Sequence, residues 1–191
     1  DGNSVTATDG DATWSSPINN TTTVVLTVNL AGALTVKRDG ASPLSNIVVG
    51  NTNDISLLKV SMSAANEAFY LKKLRISNEG TDSAGNVCDG TETAPQEFAS
   101  TCDTGVTQLK IKYPKMDGTI GTKTGVLSSG IADFSDLDAY LALDKNSVIE
   151  VLADLATISA TGVSGDQLQA GLELDSNFEA VGAGSGSTLD A

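Results

Sequence analysis

Cys88 and Cys102 are the only thiols in the 191-residue chain, and the residues between them are rich in Thr, Glu, Asp and Ala. Zinc takes four ligands, which two cysteines without histidine do not provide. A disulfide closing a polar loop fits the spacing better, and would stabilise the fold by about 3 kcal/mol. That pairing needs an oxidising compartment, whereas two unpaired thiols would not. The acids Asp133, Asp136, Asp138 and Asp144 cluster along one stretch, with Asp9 and Asp11 near the start. Calcium binds six to eight oxygens, and converging carboxylates could supply them, so Asp133, Asp136 and Asp138 are candidate calcium ligands. The Asp-x-Asp-x-Asp-Gly loop is missing, however, and scattered acids also read as plain solvated charge. Paired carboxylates could serve glycoside hydrolysis. The dispersed Trp14, Tyr70, Tyr113 and Tyr140 do not build a sugar cleft.

The chain has no histidine, which removes the commonest general base, the commonest transition-metal ligand and any Ser-His or Cys-His pair. The expectation is therefore a protein that is not an enzyme and holds no cofactor beyond possible calcium. Lys59, with several Asn residues nearby, could form an internal Lys–Asn isopeptide bond, although no Glu in register is evident. Asn19 and Asn20 head overlapping Asn-x-Thr sequons, which are candidate glycosylation sites but also arise by chance in a Thr-rich chain.

These residues must be carried by strands, because the dominant hydrophobic period is two. Val24, Leu26, Val28 and Leu30 alternate with Val25, Thr27 and Asn29. Leu58, Val60 and Met62 share a face. Tyr70, Lys72, Leu74 and Ile76 alternate with Leu71, Lys73, Arg75 and Ser77. Leu109, Ile111 and Tyr113 repeat the pattern, as do Ile149, Val151, Ala153 and Leu155, and then Leu168, Ala170, Leu172 and Leu174. Such alternation is the signature of half-buried strands. Asp39-Gly40, Gly50-Asn51, Asn78-Glu79-Gly80, Asp117-Gly118 and Ser164-Gly165-Asp166 separate the runs as turns. Residues 135–143 read either as one helical turn or as a strand. Nine to ten short strands without a convincing helix predict an all-β, antiparallel β-sandwich of Ig-like or jelly-roll type.

The predicted organisation is an N-terminal arm over 1–21, a sandwich over 22–181 and a Gly/Ser-rich tail over 182–191. Residues 80–105 form a polar insertion clipped by the Cys88–Cys102 pair. Starting at Asp1 without an initiator methionine, the chain reads as a processed or excised product. No apolar run reaches the roughly 18 residues of a membrane span, so membrane insertion is not expected. Against 24 acids stand 11 bases, a net charge of -13 that would repel nucleic acid and anionic lipid. Five of the bases, Lys72, Lys73, Arg75, Lys110 and Lys112, fall on two predicted strands. If those strands pair, one face carries a positive patch.

The order of segments carries a resemblance. Gly32-Ala33-Leu34-Thr35-Val36 leads to Ile47-Val48-Val49-Gly50, then to Leu57 through Glu67, which ends Ser63-Ala64-Ala65-Asn66-Glu67. Next comes Leu71-Lys72-Lys73-Leu74-Arg75-Ile76, and later Tyr140 through Val151 and Phe178 through Gly186. Over residues 30–185 this resembles β-sandwich modules of large secreted surface proteins of environmental, candidate-phylum bacteria. The resemblance implies an extracellular structural or adhesive role rather than an activity. Two functions follow as expectations. One is a subunit of a cell-surface filament or layer, binding copies of itself as donor-strand pili and matrix fibres do, with Val24, Leu26, Val28 and Leu30 as the added strand. The other is an adhesion module of a larger surface protein, with calcium as a possible requirement.

Overall fold

The computed structural model describes residues 3–8, 13–18, 32–81, 105–157, 167–174 and 177–190. In chain order the strands are β1 (Asn3–Thr8), β2 (Thr13–Ile18), β3 (Ala33–Arg38), β4 (Ile55–Ala65), β5 (Phe69–Asn78), β6 (Val106–Pro114) and β7 (Ile120–Gly125). They continue with β8 (Ile131–Phe134), β9 (Ala139–Leu141), β10 (Asn146–Leu155), β11 (Ala170–Glu173), β12 (Glu179–Gly182) and β13 (Thr188–Asp190). The chain divides into two compact units, Asp1–Leu30 and Ala31–Ala191. In the first, β1 and β2 form an antiparallel hairpin in which Asn3 lies opposite Ile18 and Thr8 opposite Thr13.

The second unit holds two antiparallel sheets. One is ordered β3-β4-β10-β6-β7. In the other, β5 is the spine. Its first half pairs with β9 on one side and β12 on the other, and its second half pairs with β8 and β11. β13 extends this sheet beyond β12. Side chains of both sheets form one hydrophobic core, with Met62, Leu71, Ile111, Leu141 and Val151 fully buried. Two antiparallel sheets around one core are consistent with a β-sandwich, and no helix is present among the described residues.

The predicted strand faces hold for β4, β6 and β10. Leu58, Val60, Met62 and Ala64 point into the core from β4, and Leu109, Ile111 and Tyr113 from β6. β5 departs from simple alternation. Its buried apolar residues are Phe69 and Leu71, then Leu74 and Ile76, so the inward face changes parity across Lys72–Lys73. The pairing of β5 with β12 shifts register at the same level, between Glu179 and Ala180. A bulge there lets one strand keep apolar residues inward on both halves.

Eleven strands are described in this unit against the nine to ten expected. Residues 135–143 do not form a helical turn. Asp136 takes a left-handed backbone (φ 51°), and the chain resumes as β9. The Gly/Ser-rich end supplies the turn and β13. There Gly186, at φ 70°, occupies a conformation that glycine adopts without steric cost.

Candidate functional site

Two of the three acids named as calcium candidates, Asp133 and Asp138, meet cations. Arg75 on β5 meets Asp133 of β8 through two nitrogens, Nε to Oδ1 at 2.7 Å and the second at 3.1 Å to Oδ2. The register places these residues directly opposite each other. Asp138 accepts from the Tyr113 hydroxyl at 2.8 Å and from the Lys115 ammonium at 2.8 Å. Those two contacts hold its carboxyl below the usual range. Burial and this bond to Asp138 push the Tyr113 phenol up to about 12. Among the described residues, no three His, Cys, Asp or Glu are placed to hold a metal ion. The expected disulfide at Cys88 and Cys102, the sequons at Asn19 and Asn20, and the strand carrying Val24, Leu26, Val28 and Leu30 lie outside the described residues.

The condition for a positive patch is not met. Lys110 and Lys112 lie on β6 in one sheet, and Lys72, Lys73 and Arg75 on β5 in the other, so the two strands do not pair. Their charges are used separately. Lys73 meets Glu179 at 2.6 Å, and Lys72 sits 5.2 Å from the Tyr70 ring centre. Lys59 faces Glu150, its register partner on β10, at 3.3 Å. A Glu thus stands in register with Lys59 after all, and the contact is an ion pair.

A further polar cluster, centred on Lys110 and Asp154, was not foreseen. Lys110 bridges Asp154 at 2.7 Å and Asp54 at 2.9 Å, while Asp154 also accepts from the Asp54 amide and the Gln108 side chain. Asp154 is only 5% exposed. These donors, led by Lys110, hold its carboxyl down at about 2. The Lys110 ammonium is raised in turn. The cluster is a clamp joining the segment before β4 to the ends of β6 and β10.

What remains open is a seam between the two sheets. Val36, Lys37 and Arg38 of β3 form one wall, Ala170, Gly171, Leu172 and Leu174 in and after β11 form the other, and Leu58 and Val60 of β4 form the floor. The groove encloses about 260 Å³ and its surface is mainly apolar. Among the described strands, β3 and β11 are each the last of their sheets on this side. Each therefore presents a row of amides and carbonyls without a neighbouring strand among the described residues. The sequence contained half of this signal: the alternation of Leu168, Ala170, Leu172 and Leu174 is legible, but its distance in space from Val36 is not. In comparisons with known proteins, no family model matches this chain and no curated relative matches it.

Proposed function

We propose that this protein is a non-catalytic structural subunit of an extracellular, cell-surface filament, and that copies join head to tail by β-strand addition. The donor is residues 22–30 of one copy and the acceptor is the seam of the next. The observation that carries this reading is the seam itself, an apolar trough bordered by two strand edges.

The complementarity is chemical. Residues 21–30 carry no charged side chain, and Val24, Leu26, Val28 and Leu30 form one apolar row. That row suits the floor of Leu58 and Val60, and the backbone suits the edges of β3 and β11. Burying four such side chains contributes about 1.5–3 kcal/mol each before the cost of ordering the strand. A heterologous contact of this kind does not close on itself, and so yields a fibre. An extracellular setting agrees with a Cys88–Cys102 disulfide across the 80–105 insertion, and the sandwich would be of Ig-like or jelly-roll type.

The test is a full-length variant with Leu26→Lys and Val28→Lys. It should remain folded by circular dichroism and lose filaments in negative-stain images. Filaments unchanged in that variant would refute the donor strand. A strand folding back on β3 of its own chain would instead give a wild-type monomer.

A further inference from the structure

The link from β3 to β4 contains the most exposed apolar side chains described. Leu44 is 87%, Ile47 96% and Val49 73% exposed. Isolated exposed apolar residues are ordinary, but three within six consecutive residues are not. The segment is also pinned at both ends. The Ser42 hydroxyl donates to the Lys59 carbonyl at 2.7 Å and accepts from the Lys59 amide at 2.9 Å. At the far end the Asn51 amide donates to the Ala156 carbonyl at 2.9 Å, and Asn51 turns the chain with a φ of 64°. Between these anchors no amide of residues 44–50 donates to any described residue. Among the described residues the backbone donors of this stretch thus have no partner, as in a strand without a sheet.

We propose that residues 44–49 form a self-association strand, pairing antiparallel with the same residues of a second copy. Charge decides the partner. The chain carries -13, yet residues 41–53 contain no charged side chain. Two copies approaching elsewhere repel, whereas this strip brings no like charges together. The β7 edge differs from it, since it carries Lys123, a charge that discourages pairing at an edge. The 44–49 segment has no such guard. Antiparallel pairing about a twofold axis is satisfied by any segment with itself, and it covers the apolar side chains of both copies together. Within a filament the contact is lateral, joining neighbouring fibres. It is independent of the donor strand.

The experiment uses full-length protein bearing Leu26→Lys and Val28→Lys, so that head-to-tail growth is disabled, and follows sedimentation against concentration. A monomer–dimer equilibrium is expected. Adding Ile47→Lys and Val49→Lys should weaken it at least about tenfold, while Ile47→Val leaves it in place. Amide exchange at residues 44–50 should slow as concentration rises. A monomer at every concentration, or a dimer indifferent to the lysine pair, overturns the proposal. Should the Leu26→Lys, Val28→Lys protein still form filaments, the donor-strand reading fails, and the effect of Ile47→Lys and Val49→Lys on filament bundling then decides this one.

Discussion

Asp154 shows how a single side chain holds distant segments together. Its carboxylate takes bonds from Lys110, Gln108 and the Asp54 amide, which belong to β6 and to the chain entering β4. Each donor favours the ionised form, so the folded state holds the carboxyl at about 2, below its ordinary 3.8. A depressed carboxyl contributes stability above its unfolded pKa, and this is lost as pH falls through the folded value. Asp154→Asn should therefore lower the melting temperature at pH 7. The gap to wild type should narrow as pH drops from 3.8 towards 2. A constant gap across that window, measured by thermal unfolding, would show that the charge of Asp154 is not what matters. Composition gave no hint of this clamp. Asp154 reads as the polar member of an alternating strand, and its partners lie 44 and 100 residues away in sequence.

At the scale of elements, the seam is made by what the two sheets leave uncovered. β3 and β11 sit at the same side of the molecule with Leu58 and Val60 between them. Val36 and Leu172 are only partly buried there, so both accept polar replacement more readily than the core does. Val36→Lys with Leu172→Lys should preserve the fold and abolish end-to-end assembly, as read by thermal unfolding and sedimentation. Assembly that survives would move the contact to another edge. The strand content was legible in the sequence because alternation reports which face is buried, and β6 carries it without interruption. β5 was misread at one point. A bulge at Lys72–Lys73 switches its inward parity, and a fixed period cannot anticipate that step. The hairpin of β1 and β2 was also missed, since its Thr- and Ser-rich strands carry only a short apolar alternation, Val5 and Ala7 in β1. Strand pairing depends on contacts far apart in the chain. The positive patch failed for that reason: β5 and β6 each have basic residues, but topology puts them in different sheets.

For the whole molecule, the charge of -13 bears directly on the proposed assembly. Subunits of one sign repel, so a homopolymer must overcome that repulsion through backbone pairing and apolar burial, helped by salt. The Debye length shrinks from about 30 Å at 0.01 M to about 3 Å at 1 M, which weakens repulsion between neighbouring subunits but leaves hydrophobic contacts in place. Assembly should consequently rise with ionic strength, opposite to a complex held by ion pairs between subunits. The measurement that bears most directly on a self-assembling subunit is negative-stain imaging of full-length protein over this salt range, with sedimentation of the same samples. Unbranched filaments that lengthen as salt increases are the predicted result. A monodisperse monomer at every ionic strength would contradict the account.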